Sequence, residues 1–209
     1  MTPSLTGKVR AYILAGGASR RMGANKAFLS LGGRTFLERI ADSLETSFGN
    51  RASLVVSPRN HEEFREWEIY FPILQDSVEG LGPISGLQSA LSDNDLNYTA
   101  IAAIDMPLIN PAVFIGLAER LIDSGKDASC LRVNGRIEPL PSVYHTEICR
   151  GALTYGIKKN DIFSPSYLID RLDTLVVDLE ELESDPLSIE NINDLGNLAR
   201  VTERFRSTE

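Results

Sequence analysis

The sequence has little of what several common chemistries need. Its only cysteines, Cys130 and Cys149, are too few and too far apart for a disulfide framework or a zinc knuckle, and they read as two ordinary thiols. Its only histidines, His61 and His145, also lie far apart. No Ser-His-Asp or Cys-His arrangement is suggested, and each reads as a surface or internally satisfied histidine. There is no run of about eighteen apolar residues, which argues against a membrane-spanning helix. Met1 to Lys8 lacks the apolar stretch of a secretory signal, so the chain is expected in the cytoplasm, away from membranes. Positive charge is in deficit, with 21 Lys and Arg against 29 Asp and Glu for a net charge of -8. Non-specific binding to nucleic acid or an anionic membrane needs the opposite balance. Two phosphate-binding signatures are also missing, the Gly-Lys-Ser/Thr ending of a P-loop and the G-x-G-x-x-G of a dinucleotide site, which disfavours an ATPase or a dehydrogenase.

What is present is ordinary in bulk and unusual in one place. Apolar residues make up 43% and charged residues 24% of the chain, close to globular averages. A length of 209 residues suits one domain with a substantial core, so 1–209 is expected to fold as a single domain. The unusual place is Val9 to Leu14, a short apolar run that reads as a buried strand, running into Ala15-Gly16-Gly17 and then Arg20, Arg21 and Lys26. Glycines let a backbone approach a bulky anion without a Cβ in the way, and three cations surround the same point. The combination suits a polyphosphate. The plainer alternative is a glycine turn with ordinary surface basic residues.

Downstream, strands and helices alternate. Phe36, Leu37, Ile40, Leu44 and Phe48 fall at helical spacing behind a capping box of Thr35 and Glu38. Ala52 to Val56 is a second strand, and Asn60 is placed to cap a short helix through Trp67. Pro72 to Gln75 reads as a third strand, ending at Asp76-Ser77 and a flexible Gly80-Leu81-Gly82-Pro83. Ile84, Leu87, Ala90 and Leu91 give the next helix its apolar face, and Thr99 to Ile104 is another strand ending at Asp105-Met106-Pro107. Pro111 suits the first turn of a helix to Ile122. Strands are expected at Ala128 to Val133, Ser142 to His145 and Thr174 to Asp178, a helix from Ser164-Pro165 to Leu172, a solvated acidic loop at Glu180 to Asp185, and a closing helix from Asp194 to Phe205.

Alternating apolar strands and helices indicate an α/β fold, a mostly parallel sheet covered on both faces. Ligands of such sheets sit beyond the carboxyl ends of the strands. Gly16-Gly17, Asp76 and Asp105 all fall at such ends and should share one cleft. Lys26 is placed to lie against a phosphate as a point charge. Asp105 is a natural magnesium ligand, since magnesium takes one or two carboxylates and completes its shell with substrate phosphates and water; at a strand end before a proline it equally suits capping of the turn that follows. Cations, a carboxylate for magnesium and no protein nucleophile point to transfer of a phosphorus group between two substrates.

Leu14-Ala15-Gly16-Gly17-Ala18-Ser19-Arg20-Arg21-Met22-Gly23 with Lys26, then Asp76-Ser77, Gly82-Pro83-Ile84-Ser85-Gly86, Asp105-Met106-Pro107, Glu138-Pro139-Leu140 to Tyr144, and Asn191-Ile192-Asn193 resemble, in order, the nucleotidyltransferases of the molybdenum cofactor guanylyltransferase type. The resemblance covers nearly the whole chain. It implies a Rossmann-like three-layer sandwich of the nucleotide-diphospho-sugar transferase type that binds GTP and magnesium, transfers GMP to a molybdopterin-type acceptor and releases pyrophosphate. Carried over, Leu14, Ala15, Gly16, Gly17 and Lys26 would hold the triphosphate and ribose region, and Asp76 would sit in the nucleotide pocket. Asp105 would bind magnesium, and Arg20 or Arg21 would stabilise the departing pyrophosphate. Asn191 and Asn193 would touch metal or acceptor, or cap the final helix. Transient contacts with proteins that deliver and receive the cofactor also follow from the resemblance. Three positions depart from the family's usual pattern: Asn25, where an aspartate is common, Ser57 in place of an asparagine, and Glu138 in place of a histidine. The same fold also serves cytidylyltransferases and sugar-phosphate nucleotidyltransferases, and a catalytically silent nucleotide- or cofactor-binding partner would keep it too.

Overall fold

Side chains along β1 (Val9–Leu14) alternate between two covered faces, and that alternation sets the layers. Val9, Ala11 and Ile13 join one apolar cluster while Tyr12 and Leu14 join another, as a strand covered on both faces requires. The computed structural model describes residues 5–16, 25–76, 82–162, 164–182 and 184–206. After β1 these form β2 (Ser30–Leu31), β3 (Arg34–Thr35), α1 (Phe36–Phe48), β4 (Ser53–Val56), β5 (Ile73–Gln75), α2 (Pro83–Asp93), β6 (Tyr98–Ala103) and α3 (Pro111–Ser124). Then come β7 (Ala128–Val133), β8 (Arg136–His145), α4 (Thr146–Lys158), α5 (Pro165–Ile169), β9 (Thr174–Asp178) and α6 (Leu195–Arg206).

The main sheet has seven strands in the order β5-β4-β1-β6-β8-β7-β9. β5, β4, β1 and β6 run parallel. β8 is reversed, antiparallel to both β6 and β7, and β7 pairs parallel with β9. Helices α1 and α3 pack on one face, and α2, α4 and α5 on the other. This is the expected three-layer α/β sandwich with a mostly parallel sheet. The β2–β3 hairpin meets α1 and α6 in a small third cluster around Leu31, Phe36, Ile192 and Val201.

Local chemistry explains the best-defined boundaries. The Thr35 hydroxyl accepts from the Glu38 backbone N–H at 3.2 Å, and the Glu38 carboxylate accepts from the Thr35 N–H at 2.7 Å. That reciprocal box satisfies two donors that helix geometry leaves over, and Gly49, left-handed at φ 68°, ends the same helix. Asn110 caps α3, with Pro111 in its first turn.

Elsewhere the structure departs from the expectation. The segment read as a helix capped by Asn60 is a 3-10 run from Pro58 to Trp67, entered through Ser57; the fixed φ of Pro58 starts it earlier. β8 begins at Arg136 rather than Ser142, and its register with β7 jumps between Cys130 and Leu131, from Ser142 to Glu138. Pro139 and Pro141 lie in that jump, and neither has an N–H to give the ladder. α5 stops at Ile169, short of Leu172. The stretch read as a solvated acidic loop opens with a 3-10 turn, Leu179–Leu182, whose two leucines are buried while Glu181 pairs with Arg120 outside. Leu182 packs so closely on α3 that a Cβ at Gly116 would come within 2.4 Å of it. α4 has no counterpart in the hydrophobic spacing, because Gly151 and Gly156 dilute its pattern and Ile148 and Tyr155 stand on its exposed side.

Both cysteines are free and buried, and burial pushes the Cys130 thiol up to about 11, which suits inert thiols. The His61 Nε2 lies 3.5 Å from Glu68, whereas the His145 Nδ1 is buried with no hydrogen-bond partner among the described residues. His145 is therefore not the satisfied histidine expected. No described helix is long and apolar enough to cross a membrane.

Candidate functional site

The parallel strands β1, β4, β5 and β6 end on one edge of the sheet, and a cleft of about 350 Å³ opens there. Leu14, Gly16, Lys26, Asp76, Gly82 and Asp105 line it. Five of the residues singled out in the sequence, Leu14, Gly16, Lys26, Asp76 and Asp105, are thus brought together from four separate stretches of chain. Ala15 is not on the wall. It is buried, and its N–H donates to the Val55 carbonyl at 2.9 Å, so it fixes the exit of β1 against β4. Gly17, Arg20 and Arg21 lie outside the described residues, as do Ser77 and Gly80-Leu81.

Two glycines make room for the cleft by close approach. A Cβ at Gly16 would stand 3.1 Å from the Ser57 backbone nitrogen, and one at Gly86 would stand 3.2 Å from the Leu14 side chain. Ser57, one of the three positions that depart from the family pattern, therefore lies with its backbone directly against Gly16.

Lys26 opens a short 3-10 turn that Asn25 caps, the Asn25 Oδ1 accepting from the Ala27 N–H at 3.1 Å. The Asn25 Nδ2 donates to Glu63 at 2.8 Å. An aspartate at position 25 would set like charge against Glu63, so Asn25 has a reason local to this chain. The Lys26 ammonium donates to Asn193 Oδ1 at 2.7 Å and lies 3.8 Å from Asp105 Oδ2. Ile192 N–H donates to the Asp105 carbonyl at 2.8 Å. The segment before α6 thereby reaches both Lys26 and Asp105.

Asp105 is the most exacting group in the site. Its Oδ1 is buried and accepts no hydrogen bond from any described residue, so the carboxylate is not spent on capping the turn after β6. Burial raises its pKa above the ordinary value, and the Lys26 ammonium offsets this only in part. A buried acceptor left without a donor is unfavourable unless something else comes to it. Among the described residues no three His, Cys, Asp or Glu side chains form a metal-binding group. A single carboxylate on the wall of the cleft suits magnesium, which draws the rest of its shell from substrate and water.

Asp76 accepts a short hydrogen bond from the hydroxyl of Ser85, a fully buried residue in the first turn of α2, and its backbone N–H donates to Val56 at 2.9 Å. These bonds hold the end of β5 to α2 across the cleft. Ser85 stood within the Gly82 to Gly86 block but carried no site role in the sequence. Val55 and Leu140 also line the cleft without having been marked. Val55 is indistinguishable from any core strand residue, and Leu140 arrives through the register jump of β8. Glu138 pairs with Leu131 at the near side of that jump.

Residues 11–162 match the family model described as the MobA-like NTP transferase domain. The chain is 31% identical over 210 residues to a protein of Methanosarcina mazei named probable molybdenum cofactor guanylyltransferase, a match covering 90% of this chain and 88% of that one. A protein of Bacillus subtilis with the same name is 29% identical over 200 residues, covering 93% of this chain and 95% of its own. Among solved structures, molybdopterin-guanine dinucleotide biosynthesis protein A from Archaeoglobus fulgidus superposes with a TM-score of 0.76 at 25% identity, over 95% of this chain and 99% of that one. With its strand-end cleft and a family match extending across three quarters of the sequence, the chain belongs to the MobA-like NTP transferase family.

Proposed function

We propose that this protein transfers GMP from GTP to the terminal phosphate of a molybdopterin-type acceptor carrying molybdenum, in the cytoplasm, with release of pyrophosphate. The observation that carries this reading is the convergence of Gly16, Lys26, Asp76 and Asp105 on one cleft, with a buried oxygen of Asp105 that has no donor among the described residues. The names of the relatives from Methanosarcina mazei and Bacillus subtilis supply the acceptor and the base.

In this reading an oxygen of the acceptor phosphate attacks the α-phosphorus of GTP. A new P–O bond forms there, and the bond from the α-phosphorus to the bridging oxygen breaks, so that pyrophosphate leaves with the electron pair. A phosphate monoester is already largely dianionic near neutral pH, so no protein base is needed. The chain's part is to position the reactants and offset charge. Leu14, Ala15 and Gly16, with Gly17, bring the backbone at the end of β1 close to the triphosphate and ribose. Lys26 exchanges its bond to Asn193 for a phosphate oxygen, and Arg20 or Arg21 receives the pyrophosphate. Asp76, held by Ser85, orients the nucleoside. Asp105 is the residue that would hold magnesium, and bound magnesium supplies positive charge between two anionic reactants. The whole of 1–209 acts as one unit in this reading, because Asn193 lies beyond the family match yet bonds Lys26. Proteins that deliver the acceptor and collect the product would dock transiently.

Calorimetric titration with GTP and with CTP, each with and without magnesium, tests the reading. Magnesium-assisted binding of GTP over CTP is expected, followed by magnesium-dependent pyrophosphate release once the acceptor is added. Preference for CTP would move the protein to cytidylyl transfer, and binding of neither would overturn the assignment.

A further inference from the structure

α4 turns one face to the core through Cys149, Leu153 and Gly156 and leaves the opposite face in water. That outer face is not a normal solvated surface. Ile148 is 46% exposed and Tyr155 67% exposed, with exposed Gly151 and half-buried Ala152 between them. The spacing 148, 151, 155, 158 steps by three and four, so these residues form a single stripe along the helix.

Gly151 is the informative residue. A glycine inside a helix costs roughly 0.8–1.0 kcal/mol relative to alanine, so it needs a reason. Gly86, Gly116 and Gly156 each have one, since a Cβ would meet Leu14, Leu182 or Ile162 at 3.2, 2.4 and 2.2 Å. At Gly151 a Cβ would meet nothing within 4 Å. No contact inside the described chain asks for a bare backbone at this point, whereas a second helix packed closely against it would.

The charges along the stripe select the partner. Glu147 stands at its amino end and Lys158 and Lys159 at its carboxyl end, all exposed. Neither Glu147 nor Lys158 forms an ion pair among the described residues. Arg150, on the flank, is already committed to the Leu91 and Asn94 carbonyls at 2.7 and 2.6 Å. A surface acidic at one end, basic at the other and symmetric in its apolar pair is complementary to itself when turned end for end. That is the requirement of a two-fold interface, in which each contact occurs twice.

We propose that α4 is a self-association face on which a second copy of this chain packs antiparallel, with the two-fold axis passing between Gly151 and Ala152. Ile148 then meets the partner's Tyr155, and Glu147 lies within a turn of the partner's Lys158. A single pair of helices buries less than the roughly 1,200 Å² of a stable interface, so the dimer is weak and exchanges freely. None of these residues lines the cleft at the strand ends, so pairing leaves the cleft accessible.

Sedimentation equilibrium of the full chain, at low salt and over roughly a hundredfold range of concentration, tests the proposal. The wild type should show a monomer–dimer equilibrium. Gly151→Arg introduces a better helix former but sets bulk and like charge against itself across the axis, and should weaken the dimer at least tenfold. Glu147→Lys and Lys158→Glu should each weaken it about threefold, and the two reversals together should restore it. Circular dichroism of each variant establishes that it is folded. A wild type that stays monomeric at every concentration would overturn the proposal. So would a dimer indifferent to Gly151→Arg, or a double reversal weaker than either single change.

Discussion

Two polar side chains at opposite edges of the same sheet, Asn94 buried and Asp105 half-buried, live in contrasting surroundings. At the amino edge, Asn94 is fully buried, with its Nδ2 within hydrogen-bond reach of the Tyr98 carbonyl, the Thr99 hydroxyl and the Thr146 hydroxyl at 2.8, 2.7 and 3.1 Å. Its Oδ1 accepts from the Leu96 N–H at 2.8 Å. Every polar atom of the Asn94 side chain has a partner in the chain, and the network ties α2, β6 and α4 together. At the carboxyl edge, Asp105 has Lys26 at 3.8 Å from one oxygen and no hydrogen-bond donor to the other among the described residues. A closed network is what stability asks for, because each buried donor or acceptor left alone is unfavourable. An open one at a strand end, beside a lysine and a glycine-lined wall, is what a ligand asks for. The first edge holds the fold together, and the second holds a place open.

The contrast breaks or sharpens under substitution. The largest effect should come from Lys26→Ala or Asp105→Ala, each lowering the rate of pyrophosphate release about a hundred- to a thousandfold. Asp105→Asn should lower activity comparably while leaving the thermal midpoint unchanged or raising it by up to ~4 °C, since it removes a poorly paired buried charge. A marked fall in midpoint for Asp105→Asn would erase the distinction between the two edges. Asn94→Ala should do the reverse, costing about 2–4 kcal/mol in chemical denaturation with turnover per folded molecule preserved.

Asn25→Asp, which sets like charge beside Glu63 next to the Lys26 turn, should raise KM for the nucleotide about three- to tenfold, with Glu63→Gln restoring it. An unchanged KM in steady-state assays would make Asn25 a cap and no more. The smallest effect concerns the capping box, far from any ligand. The Thr35 backbone N–H, and then its hydroxyl, hold the Glu38 carboxyl below its ordinary pKa. A carboxylate with a lowered folded pKa contributes stability above the unfolded value and loses it as the pH falls through the folded one. Glu38→Ala should therefore cost about 1 kcal/mol at neutral pH, and the gap from wild type in denaturant titrations should close below about pH 4.

Much of this was legible in the chain. The buried runs of β1, β4, β6 and β9 and the apolar stripes of α1, α2 and α3 are local patterns, and each came out at nearly its true position. The strand-end rule places Gly16, Asp76 and Asp105 at one edge from the order of the strands alone. α4 stayed hidden because its sequence is apolar on two sides, and the start of β8 stayed hidden because prolines within a strand read as a break. Ser85 and Glu63 carried no signal, since their importance comes from what stands opposite them.

By itself, the sequence determined the α/β class, the order of its elements and the residue types gathered at the carboxyl end of β1. Those features depend on hydrophobic period, capping residues and glycine placement, which act over a few neighbouring positions. Tertiary structure alone decided the reversal of β8, the burial of Leu179 and Leu182 beneath an acidic surface, and the arrival of Asn193 at Lys26 from 167 positions away. It also decided that one oxygen of half-buried Asp105 lacks a donor among the described residues while buried Asn94 has a full set. Burial and hydrogen-bond completeness belong to the assembled chain, because they depend on which distant segments close over a residue and which leave it open.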